Sequence, residues 1–495
     1  MFKKILVANR GEIARRVMCT CLEMGIETTA VYSEADSAAL HVLSADRAVC
    51  LGNSEPAESY LNIDKIIAAA KEARAEAVHP GYGFLSENPS FAERCEKEGL
   101  VFVGPPSRVI RELGDKTSAR RIAIGAKVPV IPGMDRAASD PEELAAEAAA
   151  IGFPVLIKAA AGGGGKGMRV VSAPGELKEA CVSASGEAKS AFGDGAIYLE
   201  KYLERPRHIE FQILSDTHGN HVHLFERECS IQRRHQKIIE ETPSPVMTAE
   251  LRKTMGEAAT AMARAAGYVG AGTVEFLLDR DGCFYFLEVN TRLQVEHPVT
   301  EMTLGIDLVR LQLEIAAGGK LPFEQDKLFQ RGHAIECRVY AEDPANGFFP
   351  SPGLIEYLRE PSGPGVRVDS GIYEGFTVPV EYDPILSKLI VHAETREAAV
   401  ERMLRALREY MVLGVQTPIP FLADVMGSEA FGAGMTYTDF IETHFAGWAP
   451  AAADLDLACA AYIVNDIAGG RAASPKQGPE TAGLGPWMTL GPWGR

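Results

Sequence analysis

The residues best suited to chemistry lie between Leu287 and Glu301. Glu288, Asn290, Arg292, Gln294 and Glu296 share one parity, and Leu287, Val289, Leu293 and Val295 share the other. In an extended backbone, side chains two apart point to the same face. The spacing therefore predicts an apolar face and a face bearing two carboxylates, two amides and a guanidinium. Such a row beside a core is costly unless a metal, an anion or a reacting substrate fills it. Two β-rich runs, 272–278 and 284–288, lead into it. A loop at 280–283 pairs Asp279 with Phe284 and sets Glu275 opposite Glu288. Opposed carboxylates repel at roughly 5 Å between Cβ atoms. A divalent cation between them removes that cost, and carboxylates with an amide suit Mg²⁺ bound together with nucleotide phosphates. The bland reading is a solvated polar strand face, but such a face rarely backs onto so apolar a surface.

Bulk properties bound the rest. A chain of 495 residues should hold two to four domains with cores of their own. Its net charge of −17 argues against nucleic-acid binding, which needs clustered Lys and Arg. Anionic small ligands stay open, since local Lys and Arg can hold them. No apolar run is long enough to span a membrane. The N-terminus has only four apolar residues before Asn9 and Arg10, so it reads as a strand and not a signal peptide. Nine scattered Cys, with no metal-ligand spacing, give a reduced, cytoplasmic pattern.

The elements that must position the polar row follow in order. Residues 1–113 alternate strands (5–8, 28–32, 75–79, 101–104) with helices (12–24, 63–73), which implies a parallel sheet. The turn after the first strand has one glycine and fails the dinucleotide fingerprint. The turn-rich stretch 79–87 follows a strand, where open α/β sheets bind ligands. Next come Lys116 at a helix start and a strand at 153–158 ending in Lys158. A glycine-rich loop, with Gly163, Gly164, Gly165, Lys166, Gly167 and Met168, precedes a strand at 169–172. It is not a Walker A loop, since Ala160 and Gly167 break that pattern. A glycine hairpin can still lay backbone N–H groups on phosphates and close as a lid. A strand at 208–214 would show His208, Glu210 and Gln212 on one face. The run 226–237 is densely polar; such runs are usually solvated faces, but Gln232, His235 and Lys237 amid mixed charges leave this one unassigned on its own.

Together these motifs form one ordered set. The stretches 7–14, 79–88, 158–168, 229–237, 288–301, 336–343, 349–353 and 382–388 resemble the biotin carboxylase component of biotin-dependent carboxylases, within the ATP-grasp superfamily. The similarity runs from residue 2 to about 446. It implies an α/β and α+β chain: a Rossmann-like domain at 1–113, an ATP-grasp region at 114–330 with a lid at about 131–203, and a C-terminal α+β domain at 331–447. Residues 448–495 form a tail. One departure is Pro418, where the family usually has Asn.

The resemblance also implies roles. Lys116, Lys158, the glycine loop, Glu200, Lys201, Leu203, His208, Gln232, His235, Glu275 and Glu288 would bind ATP. Glu275, Glu288 and Asn290 would hold Mg²⁺ or Mn²⁺, in line with the hairpin register. Lys237, Arg292, Gln294 and Val295 would hold bicarbonate, and Glu296 would be its base. Arg338 would stabilise the biotin enolate, and Tyr82 and Gly83 would approach biotin. Biotin would be the substrate, presented by a carrier protein. No Met-Lys-Met carrier signature occurs, so carrier and carboxyltransferase are expected on separate chains, with this chain a homodimer. Two competing readings are another ATP-grasp carboxylate–amine ligase and a non-catalytic ATP-binding subunit. Neither accounts for Arg292, Glu296 and Arg338 together. In the tail, Trp448, Trp487 and Trp493 with two Gly-Pro-Trp repeats suggest either a segment folded back on its own chain or a partner-docking segment. A helix is expected at 451–467.

Overall fold

In the computed structural model, residues 1–134, 136–159, 168–192, 195–234 and 236–451 are described. Residues 1–448 form one unit and 449–495 a second. The glycine loop at 160–167, His235, the 451–467 helix (beyond Ala451), Trp487 and Trp493 lie outside the described residues.

The N-terminal part is a five-stranded parallel sheet. In spatial order its strands are Arg47–Gly52, Glu27–Ser33, Lys4–Val7, Ala77–His79 and Val101–Phe102. Alternation along the first strand explains why both faces are covered. Ile5 and Val7 pack with Ile13 and Val17 of helix Gly11–Glu23, while Leu6 and Ala8 pack with Ile66 and Ala70 of helix Ile63–Ala73. The latter helix is capped as its sequence suggests, with Asn62 accepting from the Lys65 N–H. Two loops leave the carboxyl edge of the sheet and brace each other. The Asn9 amide donates to the carbonyls of Pro80 and Tyr82, both at 2.7 Å. Gly81, at φ +63°, faces Asn9 so closely that a Cβ there would sit 2.9 Å from its amide nitrogen.

The central and C-terminal parts share one eight-stranded antiparallel sheet. Its order is Phe284–Asn290, Gly270–Leu278, Arg207–Ser215, His221–Arg233, Gln236–Thr242, His333–Tyr340, Ile385–Ala393 and Val366–Ser370. The pairing of Gln236–Thr242 with His333–Tyr340 carries the sheet without a break past residue 330. A separate three-stranded sheet places Val155–Ala159 between Arg169–Val171 and Ile197–Lys201. Helix Arg396–Glu409 buries Ala399, Met403 and Leu407 against the C-terminal core, with Val400 and Leu404 at its margin. Pro418 sits at the N-cap of helix Ile419–Met426, where a missing N–H costs nothing. Trp448 stacks edge-on to Phe421 and donates to Asp424 at 2.7 Å, so this tryptophan docks on its own unit.

Two local expectations differ from the structure. The hairpin closes with Leu278 opposite Phe284, a loop one residue longer than expected, and a bulge beyond Phe286 restores Glu275 opposite Glu288. The extended polar row also stops early: the strand ends at Asn290, and 291–296 is irregular until helix His297–Leu304 begins. Leu287, the extra residue of that bulge, and Val295, in the irregular stretch, line a cavity instead of lying deep in the core.

Candidate active site

Register builds the site. Glu275 lies opposite Glu288 on one side and Glu210 on the other, and Glu210 lies opposite Arg227. Three carboxylates and a guanidinium thus stand abreast on four adjacent strands. The Lys237 ammonium closes the group, in contact with Glu210 and at 2.7 Å from Glu275 and 2.8 Å from Glu296. Arg227 is fully buried and satisfied: it donates to Glu210 and Gln212 and to the hydroxyls of Thr273 and Thr300, and it reaches Gln294 at 3.1 Å. This framework replaces the ladder that 291–296 lacks. Gln294 bridges it, receiving from Arg227 and donating to Glu275 at 3.0 Å. Arg292 is held by Glu87 at 2.9 Å and by Asn290 at 3.1 Å.

Glu296 is the focus. One of its oxygens meets Lys237 and the other accepts from Arg338 at 2.9 Å; Arg338 is tied back to Glu240 at 2.6 Å. Burial works against a charge at Glu296, yet Lys237, Arg338 and Arg227 hold its carboxyl below the ordinary range. Glu275 follows the same pattern: burial opposes ionisation, but Lys237 and His208 hold it well below the ordinary value. Glu288 goes the other way, pushed up by burial and then by the neighbouring Glu275 charge. A carboxylate pair with Asn290 beside it, one member resisting ionisation, is a donor set that fits a divalent cation.

A cavity of about 690 Å³ opens on this face. Its walls include Lys116, Lys158, Met168, Glu200, Lys201, Leu203, His208, Gln232, Glu275, Glu288 and Asn290. They also include Lys237, Arg292, Gln294, Val295, Glu296 and Arg338. Lys158 is paired with Glu200, and Lys201 donates to the carbonyls of Gly152 and Phe153. His208 lies 3.0 Å from Glu275 and bonds Gln232 at 2.8 Å. Tyr82 and Gly83 stand outside these walls. Tyr82 connects to them through Glu12 and Lys388, and Gly83 is exposed.

Within the polar run 226–237, which the sequence alone leaves unassigned, residues 226–232 are interior. Glu226, Arg227, Glu228, Ser230 and Gln232 are buried. Alternation of Cys229 and Ile231 with these polar residues was the available signal, blurred by three register shifts along the strand. Arg227, Glu240 and Lys388 went unrecognised as site residues, since single charged residues inside β-rich runs do not announce their partners.

Residues 1–110 match the family described as the biotin carboxylase N-terminal domain, and 336–443 match the biotin carboxylase C-terminal domain. Between them, 115–324 match the ATP-binding domain of the carbamoyl-phosphate synthase L chain. Fold and site therefore define an ATP-grasp enzyme. The biotin carboxylase of Nostoc sp. is 52% identical over 441 residues, which cover 89% of this chain and 99% of that one. A pyruvate carboxylase subunit from Methanothermobacter thermautotrophicus is 55% identical over 447 residues, covering 90% and 91%. A crystal structure of the Hydrogenobacter thermophilus 2-oxoglutarate carboxylase biotin carboxylase domain dimer, with MgADP, ADP and bicarbonate, superposes with a TM-score of 0.86 at 47% identity. It covers 91% of this chain and 100% of that one. The chain belongs to the biotin carboxylase family, whose members are ATP-dependent ligases. Among the described residues, no helix is long and apolar enough to cross a membrane.

Proposed function

We propose that this chain uses ATP and bicarbonate to carboxylate N1 of biotin carried on a separate protein, through carboxyphosphate. The observation that carries this reading is Glu296, held ionised between Lys237 and Arg338 in the wall of a cavity that Lys116, Lys158 and Glu200 also line. Bicarbonate is a weak nucleophile. Arg292, Lys237 and Gln294 bind it as an anion, Arg292 through a planar fork. Glu296 removes its proton as general base. The carbonate attacks the γ-phosphate of ATP, whose developing charge Lys116, Lys158 and the glycine loop spread. Glu275, Glu288 and Asn290 would hold Mg²⁺ or Mn²⁺, which when bound supplies charge neutralisation at the phosphates.

Carboxyphosphate then divides into CO₂ and phosphate. The phosphate takes the N1 proton of biotin, Arg338 stabilises the resulting enolate, and N1 captures CO₂. Excluding water matters because carboxyphosphate hydrolyses. Leu203, His208 and Gln232, with His235, serve the nucleotide, and Tyr82 and Gly83 lie toward biotin. The division at residues 113, 330 and 447, the homodimer, a cytoplasmic location and the separate carrier and carboxyltransferase chains belong to the same reading. The final acceptor is set by those partners. Relatives named for pyruvate and for methylcrotonoyl-CoA share this chain's similarity, which supports that assignment. The test is phosphate release from ATP by the purified chain, with Mg²⁺ and free biotin, with and without bicarbonate. Release that needs bicarbonate supports the reading; release indifferent to it points to another ATP-grasp ligase.

A further inference from the structure

Lys388 is fully buried in the eight-stranded sheet. It stands directly opposite Arg338 on one neighbouring strand and Asp369 on the other. Two cations opposed across a strand pair repel, and a buried ammonium is costly unless its hydrogens are used. Here one hydrogen is donated and two carboxylates lie nearby. The Lys388 ammonium donates to the Val295 carbonyl at 2.9 Å and lies 3.2 Å from Glu12 and 3.7 Å from Asp369. Glu12 in turn accepts from the Tyr82 hydroxyl. Glu12 has little freedom to move. The strand Val366–Ser370 leads to Gly371, where a Cβ would lie 2.7 Å from the Glu12 amide nitrogen.

The Val295 carbonyl belongs to the peptide joining Val295 to Glu296. That peptide is planar, so fixing its oxygen fixes the plane from which the Glu296 side chain departs. The segment 291–296 has no ladder of its own. Arg227 and Glu275 anchor it at Gln294, and Lys388 anchors it one residue later. We propose that Lys388 is a positioning residue whose ammonium holds the Val295–Glu296 peptide on the bicarbonate side and, through Glu12, the Tyr82 hydroxyl on the biotin side. This rests on the reading above, in which Arg292 to Glu296 handle bicarbonate and Tyr82 lies toward biotin.

The test uses the full chain as wild type, Lys388→Met, and the charge-balanced pair Glu12→Gln with Lys388→Met, which leaves no unpaired buried Glu12 charge. Bicarbonate KM and kcat are read from ATP cleavage, and binding of a non-hydrolysable ATP analogue with Mg²⁺ is read separately. Losing a charge-assisted hydrogen bond that orients the base should raise bicarbonate KM about tenfold in both variants. Affinity for the nucleotide analogue should stay within about twofold. Glu12→Gln alone should raise the KM for free biotin and spare that for bicarbonate. An unchanged bicarbonate KM overturns the proposal. So does loss of nucleotide affinity in step with it, or failure of both variants to bind nucleotide, since either marks a general structural role. Bicarbonate-independent ATP cleavage by the wild type is a different result, and it removes the parent reading instead.

Discussion

Glu296→Gln isolates the base. Glutamine keeps the volume and one acceptor oxygen but cannot take a proton from bicarbonate. The cations around it remain paired: Lys237 keeps Glu210 and Glu275, and Arg338 keeps Glu240. The fold should therefore lose little, about 1 kcal/mol, comparable to one ordinary hydrogen bond. The reaction should lose much more. A positioned general base contributes about 10²- to 10⁴-fold, equivalent to about 3 to 5 kcal/mol of barrier. The assay is steady-state phosphate release at saturating ATP, Mg²⁺ and bicarbonate, beside a thermal melt of the same preparation. The expected outcome is a near-normal melt with bicarbonate-dependent turnover reduced at least about a hundredfold. Turnover within about threefold of wild type, a gap of well under 1 kcal/mol in barrier, would refute the assignment of Glu296 as base.

Other perturbations separate neighbouring roles. Arg338→Met should slow carboxylation of free biotin about a hundredfold or more, as expected for loss of an anion-stabilising donor. ATP cleavage should fall less, about tenfold, because Arg338 also holds Glu296 at 2.9 Å; equal losses would take Arg338 out of the second half-reaction. Lys158→Gln should raise the KM for ATP about tenfold with bicarbonate KM unchanged, checked by varying each substrate in turn. Glu228 is pushed up to about 7, first by burial, against the pull of Arg207. A carboxyl raised above its unfolded value of about 4.3 stabilises the fold most below that value, and the contribution is lost as pH rises toward 7. Denaturation of Glu228→Gln should accordingly show a flatter stability profile between about pH 4 and 7, by up to about 3 kcal/mol; an unchanged slope would exclude Glu228 as its source. Leu407→Ala in the C-terminal core should cost about 2–4 kcal/mol in urea denaturation without altering either substrate's KM.

What could be read from the chain divides by physical cause. Alternation and caps are local, so the parallel N-terminal sheet, the helix at 63–73 and the stripe on helix Arg396–Glu409 were legible. The Glu275–Glu288 pairing was legible through hairpin length, even though a bulge and a longer loop compensate each other to produce it. Period two failed at the Leu287 bulge and again past Asn290. Side-chain anchors from Arg227, Glu87 and Lys388 hold 291–296 in an irregular path, and those partners lie far away in sequence. The buried charges of 226–232 were hidden for a related reason. A charged residue is tolerated inside only when paired, and the pairing of Arg227 with Glu210 or of Glu240 with Arg338 exists only once the strands are registered.

The central claim is that bicarbonate attacks ATP in this cavity. The most direct measurement supplies ¹⁸O-labelled bicarbonate with ATP, Mg²⁺ and free biotin, and follows the label into inorganic phosphate by mass spectrometry. Attack on the γ-phosphate leaves one bicarbonate oxygen on each phosphate released, so label should appear in phosphate in proportion to carboxybiotin formed. Phosphate carrying oxygen from water alone would contradict the account.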